Sequence, residues 1–132
     1  MSSAGRVGAH PYRPDPSVVD RAVRAIVQAY QPERVIVFGS FARGDTHEAS
    51  DLDLIVVKET DERFFRRIGR VRDACVDVGV DVQPFVYTPQ EVREMLERGS
   101  AFLETALGEG VVAYEAPPSE GHREPVQPSP NP

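Results

Sequence analysis

The sequence predicts an α/β fold, in which a few short strands form a sheet and amphipathic helices pack against it. Short apolar runs such as Val35–Phe38 have the composition of buried strands, whereas longer segments repeat apolar residues every three or four positions, as helices do. The two kinds of segment alternate along a chain of 132 residues, which is the size of one domain. We therefore expect one compact sandwich of helices and strands.

The folded domain is expected to occupy residues 15–115. Residues 1–14 are rich in Gly, Ser, Pro and Arg, and residues 116–132 hold six of the twelve prolines. Neither end carries enough apolar surface to offset the entropy lost when it is ordered. We therefore predict a disordered N-terminal tail and a Pro-rich, disordered C-terminal tail.

The first half of the domain begins with a helix. Asp15-Pro16-Ser17 combines a capping residue with a proline that the first turn tolerates, and Pro32 ends the helix. The apolar stripe of this helix consists of Val19, Val23, Ile26, Val27 and Tyr30. The strand Val35–Phe38 follows, and then come a turn at Gly39-Ser40 and a second strand over Asp51–Val57.

The second half alternates helix and strand. A helix over Asp61–Val76 has one apolar face, and a strand over Val80–Tyr87 follows it. Thr88-Pro89 starts a last helix, whose apolar stripe comprises Val92, Met95, Leu96, Phe102, Leu103 and Leu107. Gly108–Gly110 breaks this helix before a short final strand over Val111–Tyr114. The predicted order is therefore α, β, β, α, β, α, β.

The composition limits the function classes. The net charge is −6 and the pI is about 5.0, so the chain lacks the basic surface that duplex DNA requires. No apolar run approaches the roughly 20 residues of a membrane span, and the N-terminus does not resemble a signal peptide. A single cysteine, Cys75, excludes an intrachain disulfide and a cysteine-rich zinc site. We expect a cytoplasmic protein.

Two aspartates stand at the start of the second predicted strand. Because side chains alternate along a strand, Asp51 and Asp53 project to one face and Leu52 to the other. Two carboxylates that close repel each other unless a cation lies between them or one of them is protonated. Oxygen ligands of this kind suit Mg²⁺, with Mn²⁺ as an alternative. The pair predicts a divalent metal site, although Asp-x-Asp alone is also typical of a solvated strand edge.

Gly39-Ser40, at the end of the preceding strand, has the features of a phosphate-binding turn. The glycine allows a close approach of the backbone, and the exposed N–H groups and the hydroxyl can donate hydrogen bonds. A metal site beside such a turn indicates phosphoryl or nucleotidyl transfer, and its two-metal form requires a third carboxylate. Asp81 is the candidate, because it shares a strand face with Gln83; Asp77, at a helix end, is the competitor.

The segment GSFARGDTHEASDLDL, residues 39–54, resembles the signature of the DNA polymerase β-like nucleotidyltransferase superfamily. That signature is Gly-Ser, a spacer and Asp-x-Asp; the Ala-Arg-Gly after Gly-Ser and Ser50 before Asp51 are similar to the minimal nucleotidyltransferase branch. The resemblance covers about residues 33–90. It implies the polymerase β-like fold, a mixed sheet of about four strands packed with helices.

The resemblance also implies a role for each matching residue. The triphosphate of ATP or another NTP contacts the Gly-Ser turn, and two Mg²⁺ ions are held by aspartates. The implied nucleotide-binding residues are Gly39, Ser40, Arg43 and Ser50. The implied metal-binding and catalytic residues are Asp51, Asp53 and Asp81, with Asp81 as the base for the attacking hydroxyl.

For several charged residues the sequence allows either a structural or a functional role. Arg43 either neutralises phosphate charge or pairs with Asp45 or Glu48. His47 is more typical of a solvated loop than of a ligand, because no other residue with ligand spacing accompanies it. The predicted helix over Asp61–Val76 carries the row Arg63, Arg66, Arg67 and Arg70. This row is typical of a solvated face, and contact with an acidic partner or RNA is the alternative.

The implied activity is the Mg²⁺-dependent transfer of a nucleoside monophosphate, expected to be AMP from ATP, to a hydroxyl. Many small members of this family are antitoxins of helical HEPN-domain RNase toxins, so the resemblance implies an antitoxin that modifies a HEPN-type partner, in a homo- or hetero-oligomer. One alternative is a non-catalytic antitoxin that neutralises its partner by occlusion. Another is a transferase for small molecules or RNA ends, which the acidic charge and the lack of an added substrate domain disfavour.

Overall fold

The computed structural model describes residues 16–47 and 49–117. Its helices are α1 (Pro16–Tyr30), α2 (Ser40–Arg43), α3 (Phe64–Ala74), α4 (Pro89–Glu97) and α5 (Ala101–Glu109). Its strands are β1 (Arg34–Phe38), β2 (Leu52–Val57), β3 (Val82–Tyr87) and β4 (Val111–Glu115). Asp15, Glu48, the predicted N-terminal tail and residues 118–132 of the predicted C-terminal tail lie outside the described residues.

The four strands form one mixed sheet in the order β3-β2-β1-β4. β1 runs antiparallel to both of its neighbours, β2 and β4, whereas β2 and β3 are parallel. A parallel pair needs a long crossover connection, and α3 supplies it. The predicted α/β fold, with a mixed sheet of four strands packed with helices, is confirmed.

Helices cover both faces of this sheet, and each face has its own core. Leu52, Leu54 and Val56 of β2 belong to the core that includes buried residues of α1 and α3. Ile55 and Val57 belong to the opposite core, which includes buried residues of α5. Because β2 is covered on both sides, its apolar run is continuous rather than alternating. No helix in the described ranges is long and apolar enough to cross a membrane.

The last predicted helix is two helices in the structure. α4 ends at Glu97, Gly99 adopts a φ of 79°, and the Ser100 hydroxyl caps α5 by accepting a hydrogen bond from the Leu103 N–H. The prediction of one helix was wrong, because the apolar spacing continues across a break that only the left-handed glycine and the new cap reveal. The predicted break at Gly108–Gly110 agrees with the structure, in which α5 ends at Glu109 and Gly110 is the capping position.

One arginine of the predicted solvated row is buried. Arg67 is 7% exposed, whereas the other three are exposed. Its Nη1 and Nη2 donate to the two carboxylate oxygens of Glu91 at 2.7 and 3.3 Å. Its Nε and Nη1 also donate to the carbonyl oxygens of Glu62 and Val86. The prediction of a solvated face was wrong for Arg67, because its partners come from β3 and α4 and cannot be inferred from spacing within α3.

Replacing Arg67 by methionine should lower the free energy of unfolding by about 2–3 kcal/mol. The variant keeps the apolar stem but loses a bidentate, largely buried ion pair and leaves carbonyl groups without a donor. Urea unfolding measures the change. The control is Arg66→Met, at a side chain that is 74% exposed, which should change the free energy of unfolding by less than about 0.5 kcal/mol.

The Arg67 effect should also depend on pH. The hydrogen bond from Arg67 lowers the pKa of Glu91 below its usual 4.5, helped by the Thr88 backbone. A carboxyl with a lowered folded-state pKa stabilises the fold above its unfolded pKa and loses that contribution as pH falls through the folded value. The difference between the wild type and Arg67→Met should therefore shrink below about pH 4.5. A difference that stays constant down to pH 3 would contradict this account.

Candidate active site

The predicted site residues lie at one end of the sheet. Gly39 follows the C-terminal end of β1, and antiparallel pairing places that end beside the N-terminal end of β2, where Asp53 lies. Because β3 is parallel to β2, Asp81 stands before β3 at the same end. The start of β4 also lies there, since Val37 pairs with Val111. Strand direction therefore brings together four segments that are far apart in the sequence.

The three aspartates occupy adjacent positions on one face of the sheet. In the parallel register Asp53 lies opposite Gln83, so two positions earlier Asp51 lies opposite Asp81. The Leu52 N–H donates to the Asp81 carbonyl oxygen at 2.8 Å, which extends this register beyond the strand. Since side chains alternate along each strand, the aspartates share the face that α4 and α5 cover.

Asp51 and Asp81 also line a common cleft of about 730 Å³. The same lining includes Ser50 from the preceding loop, Arg72 from the last turn of α3 and Val76 from the turn that follows α3. Asp77, the competing third carboxylate, is exposed in the turn after α3 and is not among these lining residues. The cleft is open to solvent beside two of the three candidate metal ligands, where an acceptor group could enter.

The surroundings of Asp53 raise the pKa of its carboxyl group. Its partial burial raises the pKa above the usual 3.8, and the negative charge of Asp51 raises it further. Arg43 opposes the rise, and Glu109 adds to it. The ionised form of Asp53 is therefore disfavoured by its surroundings, which is the electrostatic condition that a bound divalent cation would relieve.

The aspartates fit a hard divalent cation by chemistry and by strand position. They supply only oxygen donors, from neighbouring positions on one sheet face, and this is the donor set that Mg²⁺ or Mn²⁺ prefers. Within residues 16–47 and 49–117, no three His, Cys, Asp or Glu side chains are grouped closely enough to hold an ion. Asp53 lies against Gly39 while the other two line the cleft, so the three carboxylates do not converge on one point in this conformation.

Gly39 adopts a backbone conformation that other residues rarely reach. Its φ of 72° and ψ of −150° belong to a region that is essentially restricted to glycine. A Cβ atom here would also collide with the carboxylate of Asp53. The turn after β1 and the metal-ligand candidate on β2 are therefore in direct contact, and only glycine permits it.

Residues Ser40–Arg43 form the one-turn helix α2, which the sequence did not predict. The Arg43 N–H donates to the Gly39 carbonyl at 3.0 Å, and the Ser40 carbonyl accepts from the N–H groups of Gly44 and Asp45. Arg43 Nε contacts the Asp45 carboxylate at 3.1 Å. The predicted pairing of Arg43 with Asp45 is present in the structure, and the alternative partner Glu48 lies outside the described residues.

Ser50 and His47 close the loop that leads into β2. The Ser50 hydroxyl accepts from the His47 N–H at 2.9 Å, and the Ser50 N–H donates to the His47 carbonyl at 2.9 Å. His47 Nδ1 accepts from the Ala49 N–H. In this conformation both side chains hold the loop together, and the loop positions Asp51 at the mouth of the cleft.

Glu109 is a residue of this site that sequence reasoning missed. Its carboxylate accepts a hydrogen bond from the Gly39 N–H at 2.9 Å and contacts Arg43 Nη1 at 3.3 Å. A glutamate at a helix end carries no signal by itself. Its position follows only once β4 is known to pair antiparallel with β1, which places the end of α5 beside the turn that follows β1.

Comparisons with known proteins identify the family of the chain. The model of the nucleotidyltransferase domain family matches residues 19–107, about two thirds of the chain. A protein of Methanocaldococcus jannaschii, provisionally named as a protein adenylyltransferase, is 27% identical over 103 residues. That alignment covers 72% of this chain and 97% of the relative.

Two solved structures have a similar fold. A provisionally named nucleotidyltransferase from Sulfolobus solfataricus superposes with a TM-score of 0.51 at 20% identity, over 75% of this chain and 78% of that one. A toxin–antitoxin structure with AMP-PNP superposes with a TM-score of 0.56 at 16% identity, over 74% and 73%. The resemblance noted in the sequence is therefore confirmed: the chain belongs to the nucleotidyltransferase domain family, and it is a nucleotidyltransferase.

Proposed function

We propose that the protein transfers AMP from ATP to a hydroxyl group of a partner protein, with Mg²⁺ as cofactor. The observation that carries the proposal is the convergence of Asp51, Asp53 and Asp81 with the Gly39-Ser40 turn at one end of the sheet. The relative from M. jannaschii, whose name specifies protein adenylylation, supports the choice of AMP and of a protein acceptor.

The proposed roles follow from this arrangement. Asp51, Asp53 and Asp81 would hold the metal ions, which when bound neutralise charge on the phosphates and on the attacking oxygen. The backbone of Gly39, the Ser40 hydroxyl and Arg43 would bind the triphosphate, with Ser50 beside it. In the reaction, the acceptor oxygen forms a bond to the α-phosphorus, the bond from that phosphorus to the bridging oxygen breaks, and pyrophosphate leaves. The hydroxyl proton passes to a carboxylate, for which Asp81, open to the cleft, is the candidate.

We further propose that the partner is a HEPN-type toxin and that this chain is its antitoxin, in the cytoplasm. The similarity to a toxin–antitoxin structure supports this choice. Two large apolar side chains on or next to α3 are also unusually exposed, Phe65 at 82% and Val76 at 78%. Val76 lines the cleft, whereas Phe65 lies at the other end of α3, where its neighbour Phe64 contacts Tyr87 at the end of β3. An exposed apolar residue at the cleft, such as Val76, is suited to contact with a protein that presents its hydroxyl there.

A mass measurement tests the transfer. The protein is incubated with Mg²⁺, ATP and the proposed partner, taken as the purified product of the reading frame next to the gene for this chain. The intact mass of each protein is then measured. We expect the partner to gain the mass of one AMP, and to gain it also with AMP-PNP, whose bond between the α- and β-phosphates is that of ATP. We expect no gain with α,β-methylene ATP or with EDTA.

The same experiment separates the competing functions. A gain of one phosphate with ATP, and none with AMP-PNP, would identify phosphoryl transfer and contradict the proposal. A complex that forms and inhibits the partner without any change of mass would instead favour neutralisation by occlusion, for which the exposed side chains of Phe65 and Val76 are the supporting observation.

A further inference from the structure

The groups expected to bind phosphate already hold an internal anion. One carboxylate oxygen of Glu109 accepts the Gly39 N–H at 2.9 Å. Arg43 Nη1 lies 3.3 Å from both oxygens of the same carboxylate. A backbone N–H and a guanidinium that converge on a carboxylate are the same donors that would converge on a phosphate group.

The chain holds Glu109 in this position through the residue that follows it. A Cβ atom on Gly110 would clash with the Ala106 carbonyl oxygen, at 2.6 Å, and with Cγ2 of Ile36, at 2.7 Å. Gly110 therefore lets the end of α5 pack directly against β1. The strand β4 begins after Gly110 and pairs with β1. The backbone of Glu109 is fixed beside Gly39, while its side chain remains 26% exposed to solvent.

We propose that Glu109 competes with the nucleotide for the Gly39 N–H and the Arg43 guanidinium, and so sets the affinity of the enzyme for its triphosphate substrate. The inference rests on the proposed function, in which the triphosphate binds at this turn. In the free protein the carboxylate satisfies both donors, and it leaves when a phosphate group replaces it. Because only the fraction of molecules with Glu109 displaced can accept nucleotide, the apparent dissociation constant equals the intrinsic one divided by that fraction.

Removing the competing charge should strengthen nucleotide binding. For Glu109→Gln we expect the Kd for MgATP to fall roughly three- to tenfold, the size expected for one partly exposed charge pair. Glu109→Ala should have at least the same effect, because the amide of glutamine can still accept the Gly39 N–H. Glu97→Gln is the matched control, since it removes the same charge from the exposed last residue of α4. Its Kd should equal that of the wild type.

Calorimetric titration with MgATP, and with ATP in EDTA, measures these affinities. The Glu109 variants should bind more tightly than the wild type in both titrations. If Glu109 were instead a metal ligand, its replacement would weaken the binding of MgATP. The amide resonance of Gly39, followed by NMR without nucleotide, reports the contact itself and should shift in both Glu109 variants but not in Glu97→Gln.

Each result decides the inference. Tighter binding by both Glu109 variants, with a shifted Gly39 resonance, supports it. Equal or weaker binding by these variants, when the wild type binds MgATP, overturns it and leaves the proposed function standing. An unchanged Gly39 resonance overturns it too, because the contact is then not formed in solution. If none of the proteins binds MgATP, the proposed function fails and the inference fails with it.

Discussion

Replacing Asp51 or Asp53 by asparagine should reduce AMP transfer by about a thousandfold or more while the fold is retained. Each substitution removes one negative charge from the proposed metal site and almost no volume. Metal ions contribute several kcal/mol to the stabilisation of developing charge, and about 1.4 kcal/mol corresponds to a factor of ten in rate. The measurement is the initial rate of AMP incorporation into the partner, together with circular dichroism of each variant.

Two further variants sharpen this test. Asp81→Asn should reduce the rate as strongly as the other two, because Asp81 lies opposite Asp51 in the parallel register. Asp77→Asn removes the same charge from an exposed turn only four residues away and should leave the rate within about twofold of the wild type. Full activity in both Asp51→Asn and Asp53→Asn would reject the metal site, and loss of activity in Asp77→Asn would reject the assignment of Asp81.

Asp53→Asn should also raise the melting temperature of the metal-free protein. Burial, with the charge of Asp51, raises the folded-state pKa of Asp53 above its usual 3.8. A carboxyl with a raised folded-state pKa destabilises the fold at neutral pH, and this cost disappears as pH falls through the folded pKa. The melting temperature of the variant should therefore exceed that of the wild type at pH 7 and equal it near pH 3. Added Mg²⁺ should stabilise the wild type and not the variant.

Replacing Gly39 by alanine should have the second largest effect, on stability and activity together. The strained backbone costs about 1–3 kcal/mol for a residue with a Cβ atom. The same Cβ would push the carboxylate of Asp53 out of place, and a displacement of this kind costs roughly a hundredfold in rate. Urea unfolding and the initial rate of AMP transfer measure the two effects.

Gly44→Ala is the matched control for Gly39→Ala. Gly44 also has a positive φ, of 82°, but within the described part of the chain no atom beyond its two neighbouring residues lies within 4 Å of the position of its Cβ. The substitution should therefore lower the free energy of unfolding by about 1–2 kcal/mol and leave the rate within severalfold of the wild type. If both glycine variants lost activity to the same extent, backbone strain alone would explain the Gly39 effect and the contact with Asp53 would be irrelevant.

The site residues differ in how far they could be predicted from the sequence. The positions of the aspartates and of the Gly-Ser turn at strand ends could be predicted, because local apolar patterns mark the strands beside them. Their roles in binding metal and phosphate stay predictions. The partners of Arg67 and Glu109 could not be predicted, since each of these residues bonds to residues that are distant in sequence. Arg67 pairs with Glu91 across 24 residues, and Glu109 meets Gly39 across 70. Helical spacing describes one element at a time and cannot identify such partners.

The sequence by itself determined the α/β class, the four strands and most helix positions, and it gave the Gly-Ser turn and the aspartates their predicted chemistry. These follow from local rules: apolar periodicity, glycine and proline at element ends, and the ligand preferences of carboxylates. Tertiary structure alone decided strand order and direction, the break at Gly99, the burial of Arg67 and the contact of Glu109 with Gly39. The physical reason is that strand pairing fixes which chain segments share an end of the sheet, and only then do charges far apart in the sequence interact.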